Sequence, residues 1–80
     1  MSTSPVRVEP LAVEVAFTKD SLCVRLADGR EISAPLTWFP RLQTASAKKL
    51  KNWRLIGGGV GIHWPELDED VSVEGLLAIR

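Results

Sequence analysis

An α+β domain, built as a small antiparallel three-stranded meander with short helices and a short C-terminal strand and helical turn, is what this 80-residue sequence predicts. Three observations lead there. Apolar residues alternate with polar or small ones in two successive stretches near the N-terminus. Asp28-Gly29 supplies tight-turn chemistry before a third such stretch. No helical segment of crossover length separates the three stretches, so neighbouring strands must run antiparallel.

In the first stretch Leu11, Val13, Val15 and Phe17 alternate with Ala12, Glu14 and Ala16, the period of a strand with one buried face. Thr18-Lys19-Asp20-Ser21 then turns the chain. In the second strand Leu22, Val24 and Leu26 face the core, with Cys23 and Arg25 on the other side. Asp28-Gly29 predicts a type I′ turn, since both residues tolerate positive φ, and Glu31-Ile32-Ser33-Ala34 returns as strand three.

Pro35 and Pro40 bracket a helical turn that packs Leu36, Trp38 or Phe39 under the sheet, with Trp38 read as core. Ser46 is placed to cap a short amphipathic helix through Trp53, whose Leu50 and Trp53 share a face. The glycines from Gly57 to Gly61 end that region. A short extended segment at Ile62-His63-Trp64, a last strand through Asp70-Val71-Ser72 and a helical turn over Val73-Glu74-Gly75-Leu76-Leu77 close the chain.

These readings give a flexible N-terminal tail over residues 1–10 and a single domain over residues 11–80. A composition of 45% apolar and 25% charged residues is that of a globular protein, and a chain of this size buries roughly 60% of its unfolded surface. Cys23 is the single cysteine, so no internal disulfide forms and a reducing, cytoplasmic setting is expected. Neither a leader-like N-terminus nor a membrane-length apolar run is present, so the expectation is no membrane association.

The net charge is zero, yet residues 1–54 carry nine Lys/Arg and five Asp/Glu, whereas 55–80 carry one Arg and five acids. The two parts either neutralise each other in the fold or steer a charged partner.

Catalytic chemistry finds little support. Gly57 to Gly61 lacks the Lys and Ser/Thr of a phosphate loop, and Ile62 stands where a dinucleotide fingerprint would need glycine. His63 with Asp68, Glu69 and Asp70 offers metal ligands or proton carriers, but consecutive acids on an extended segment cannot all face one ion. Cys23 has no neighbouring base in sequence. No catalytic residue, cofactor or metal site is assigned.

Two binding readings remain. Trp53, Arg54, His63, Trp64, Asp68, Glu69 and Asp70 concentrate aromatic and charged side chains around the glycines, as a protein-contact surface does. Alternatively Arg41, Lys48, Lys49, Lys51 and Arg54, with no acid between them, form a basic group able to contact the phosphates of a nucleic acid. A metal-dependent enzyme is the third and weakest reading.

The motifs Pro35-Leu36-Thr37-Trp38-Phe39-Pro40-Arg41-Leu42, Asn52-Trp53-Arg54-Leu55-Ile56-Gly57 and the run from Gly61-Ile62-His63-Trp64-Pro65 through Gly75-Leu76-Leu77 resemble a bacterial family, domain of unknown function 2442. The resemblance covers roughly Leu11 to Leu77. It implies a small mixed α/β domain, sometimes joined to a helix-turn-helix domain and often encoded beside a second small protein in a toxin–antitoxin-like pair. This chain has no room for that second domain, so the resemblance implies the antitoxin-like partner, which binds and blocks a small toxin-like neighbour. It carries over no catalytic residues. The expectation is therefore a non-catalytic, cytoplasmic protein-binding module.

Overall fold

The computed structural model of the protein describes residues 9–78. The tail expected over residues 1–10 lies outside them except for Glu9 and Pro10, as do residues 79 and 80 of the expected domain.

Strands β1 (Ala12–Phe17), β2 (Ser21–Leu26) and β3 (Glu31–Pro35) form the antiparallel meander, in the order β1-β2-β3. Val24 pairs with Val15 on one side and Ile32 on the other, and Leu22, Val24 and Leu26 are buried, as their alternation requires. Between β1 and β2 the Thr18 hydroxyl accepts the backbone N–H groups of Asp20 and Ser21. Cys23 lies on the outer face, half-buried, with Sγ 3.9 Å from the Ser33 hydroxyl.

In β1 the expected inner face is wrong at its start. Ala12 is fully buried and Val13 is 48% exposed, because the register shifts between Ala12 and Glu14. Val13 is the extra residue of a β-bulge, which reverses the face of everything before it.

The turn at Asp28-Gly29 also differs from expectation. Gly29 has φ +95° but Asp28 does not have positive φ, so the turn is not type I′. The Gly29 N–H donates to Leu26 O (3.0 Å) and the Leu26 N–H to Arg30 O (2.8 Å), a three-residue loop with glycine in the left-handed position. Asp28 serves as the anchor: its carboxylate accepts from the Arg30 side chain and backbone and from the Glu9 N–H.

The Arg30 side chain, helped by those backbone N–H groups and opposed by burial, holds the Asp28 carboxyl down to about 2, from an ordinary 3.8. A depressed carboxyl stabilises the fold above the unfolded value, and that contribution is lost as pH falls from 3.8 toward about 2. An NMR titration of the Asp28 carboxyl should give a midpoint near that lower value, moving up toward 3.8 in Arg30→Ala. An unshifted midpoint in the wild type would remove the anchor.

After β3 a single 3₁₀ turn spans Leu36–Trp38, followed by α1 (Pro40–Gln43), which begins on proline, and α2 (Ala47–Lys51). The Ser46 hydroxyl accepts the Lys49 N–H at 3.3 Å, so the expected cap is present. Trp38, expected in the core, is 47% exposed. With three residues per turn, Leu36 and Phe39 share the inner side and Trp38 is left outside.

A second antiparallel sheet, in the order β4-β5-β6, comprises β4 (Arg54–Ile56), β5 (Gly61–Trp64) and β6 (Glu69–Ser72), and α3 (Val73–Ala78) follows directly. Here β5, β6 and the closing helix match the extended and helical segments expected; β4 is additional. The Ser72 hydroxyl accepts the Gly75 N–H at 2.9 Å and so caps α3. Ser72→Ala should lower stability by about 1 kcal/mol, read from the chemical denaturation midpoint.

The two sheets are joined by backbone and by core. Gly59 O accepts the Ala12 N–H (2.8 Å) and the Phe17 and Trp64 rings meet edge to face at 6.1 Å, while Val60 O accepts the Val73 N–H (3.0 Å) and ties α3 to the glycine turn. Leu22, Leu26, Leu42, Ile62 and Trp64 fill the centre.

Candidate functional site

The second sheet sorts its residues between two faces by strand alternation. Ile62, Trp64 and Val71 point into the core, whereas β5 turns His63 outward. His63 pairs in register with Arg54 on β4 and Asp70 on β6. Residues at paired positions share a face, so Arg54, His63 and Asp70 form one row across three strands.

Within that row His63 Nδ1 hydrogen-bonds to Asp70 Oδ1. A carboxylate only accepts, so the ring donates through Nδ1 and is oriented by it. The Asp70 side chain is 69% exposed and that of His63 is 27% exposed. The adjacent row on this face is Ile56, Gly61 and Ser72. Gly61 contributes no side chain, and Ile56 lies over it, with its Cδ1 3.7 Å from where a Cβ would stand; Ile56 itself remains 41% exposed. The outer face therefore offers a cation, an oriented imidazole, a carboxylate and an apolar side chain.

The acidic run does not act as a unit. Asp68 occupies the β5–β6 turn in a left-handed conformation, φ +51°. Glu69 points away from Asp70, with its carboxylate 3.9 Å from Arg41 Nη1, which also donates to Asp68 O at 2.7 Å. Only Asp70 joins His63. Among the described residues no three His, Cys, Asp or Glu side chains converge on a point that could hold a metal ion.

Trp64 leaves the contact set. Its side chain is fully buried and Nε1 donates to Leu50 O at 3.0 Å, so the indole has no surface to offer. Trp53 is half-buried against the core, and Arg54 is exposed. Of the basic group, Arg41 is engaged by the β5–β6 turn and stands apart from Lys48, Lys49, Lys51 and Arg54, which are exposed and have no ion-pair partner among the described residues.

The sequence profile of a family described as protein of unknown function (DUF2442) matches residues 12–80. The chain belongs to that family. Two solved structures share the fold of this DUF2442 domain. A protein of unknown function from Rhodospirillum rubrum is 30% identical with a TM-score of 0.72, over 85% of this chain and 84% of that one. An uncharacterised protein from Chromobacterium violaceum is 25% identical with a TM-score of 0.70, over 84% of this chain and 63% of that one. No curated protein matches the sequence.

The DUF2442 outer face was partly visible in the sequence, through Arg54, His63 and Asp70. Ile56 was missed, because its place beside Arg54 depends on a strand too short to show alternation. Among the described residues no helix is long and apolar enough to cross a membrane.

Proposed function

We propose that this protein is a non-catalytic protein-binding module whose contact surface is the outer face of the second sheet, with Arg54, His63 and Asp70 at its centre. The observation that carries the reading is the cross-strand row itself: three chemically distinct polar side chains held in register beside exposed Ile56. Strands fix such a row at little entropic cost on binding, and an arginine beside an apolar group is a common interface anchor. Trp53, packed against the core, and Glu69, turned to Arg41, lie outside it, and Asp68 sits in the turn beyond Asp70.

In the finer form of the reading, the chain is the antitoxin-like, cytoplasmic member of a two-gene pair, and it blocks its small neighbour by covering it. Co-expression and co-purification with the neighbouring gene's product tests this. The expected result is a stable complex that the double change Arg54→Glu, His63→Ala weakens by about 2 kcal/mol or more, roughly thirtyfold in Kd. Two folded proteins that do not associate would end the antitoxin form. A complex indifferent to the double change would place the interface elsewhere.

A further inference from the structure

The cations of this fold are not used evenly. Arg25 pairs with Glu14, Arg30 with Asp28, and Arg41 with Glu69 and the Asp68 carbonyl. Arg54 has no such acceptor among the described residues, nor do Lys48, Lys49 and Lys51 on α2. All four are exposed, with Leu50 turned toward the core between them. The excess positive charge of residues 1–54 is thus only partly neutralised by the acids of 55–80: Arg41 makes the one Lys/Arg–carboxylate ion pair between the two parts among the described residues. Apart from Lys19 in the β1–β2 turn, what is left unmatched among the described residues lies within residues 48–54, on α2 and the start of β4.

We propose that α2 and β4 together receive an acidic segment of a partner protein, with Arg54 gripping one carboxylate and Lys48, Lys49 and Lys51 drawing the segment in. This rests on the protein-binding reading above and states the chemistry of the partner. Arg54 is the anchor because a planar guanidinium can bond both oxygens of a carboxylate, whereas an ammonium acts as a point charge. The lysines, on flexible stems, contribute steering and affinity that salt screens.

A peptide fits this corner better than a nucleic-acid strand does. The basic surface is bordered by Glu66, which accepts from Asn52 Nδ2 at 2.9 Å, and by Asp70 beyond His63. A strand with a phosphate on every nucleotide would meet those carboxylates, and each meeting is repulsive. A peptide carries its carboxylates singly and can set an apolar side chain on Ile56, 41% exposed on the same face as Arg54.

The test is an NMR titration of the full isotope-labelled chain with three probes: a capped peptide alternating Glu and Leu, its Gln-for-Glu counterpart, and a short oligothymidine strand. The Glu peptide should shift the amides of residues 48–56 and His63, and the Gln peptide should not. Arg54→Lys, which keeps the charge, should weaken Glu-peptide binding about fivefold to tenfold. Lys48→Ala, Lys49→Ala and Lys51→Ala combined should weaken it and flatten its salt dependence.

Equal binding of the Gln peptide, no binding of either peptide, or tighter binding of oligothymidine with Arg54→Lys neutral would each overturn the proposal. The last result would establish the nucleic-acid reading instead. Titration with the co-purified neighbour separates the two claims. If that protein shifts the outer-face amides and the Glu peptide does not, the binding face stands and its acidic partner chemistry falls; if neither does, both fall.

Discussion

Trp64→Ala is expected to cost about 3–5 kcal/mol, the largest loss available from a single side chain in this fold. The indole is fully buried, meets Phe17 edge to face at 6.1 Å, and donates its N–H to Leu50 O at 3.0 Å. It therefore joins β5 to the first sheet by packing and to α2 by a hydrogen bond. Truncation leaves a cavity that so small a core can only partly collapse, and leaves the Leu50 carbonyl without its indole donor.

Stabilities of about 0.05–0.15 kcal/mol per residue imply roughly 4–12 kcal/mol for this chain, so the loss takes between about a quarter of that stability and all of it. Trp64→Phe separates the two contributions, keeping most apolar contact and losing the N–H donor. It should cost about 1–2 kcal/mol and lower Tm by about 4–16 °C. Urea denaturation followed by far-ultraviolet circular dichroism checks both. A loss below about 1 kcal/mol for the alanine variant would mean that Trp64 is not the pillar described.

That dependence on Trp64 bears on what a sequence of this kind discloses. Alternation at Leu22, Val24 and Leu26 revealed β2 and its inner face, because a strand in the middle of a sheet has both neighbours to hold its register. At β1 the same pattern misled. Leu11, Val13 and Val15 alternate well, yet Ala12, not Leu11 or Val13, is buried beside Val15, its N–H held by Gly59 O, a partner 47 positions away. Period-two patterning carries no information about a one-residue slip imposed by a distant contact.

Trp38 failed for a different reason. Its size suggested burial, but the short 3₁₀ turn has room to direct only Leu36 and Phe39 inward. β4 went unseen because Arg54-Leu55-Ile56 is too brief for any period and its three residues are exposed. The candidate site shows the same division. His63 and Asp70 lie seven residues apart and their pairing is a hairpin register, which local patterns can suggest. The place of Arg54 in the row and the diversion of Glu69 to Arg41 are settled by the second sheet as a whole.

Gly59→Ala is the other change expected to act strongly, and it probes the joint between the two sheets. Gly59 has φ +120°, a conformation that L side chains rarely adopt. An added Cβ would also stand 2.6 Å from Ala12 O and 2.9 Å from Ala12 N, the group that Gly59 O holds. Neither obstacle is the end of a flexible side chain, so the backbone of β1 must move away from the glycine turn.

Strain of about 1–3 kcal/mol and overpacking of about 1–3 kcal/mol combine to an expected loss of about 2–6 kcal/mol, the hydrogen bond being lost in the same movement. Gly58→Ala is the matched control. It has φ +73° but nothing within 4 Å of its Cβ, so it should lose only about 1–2 kcal/mol from conformation. Denaturation of the pair measures the difference, and amide exchange at Ala12 should accelerate in Gly59→Ala beyond the change in global stability. Equal losses for the two variants would show that close approach to β1 contributes nothing, and that positive φ alone explains the glycine.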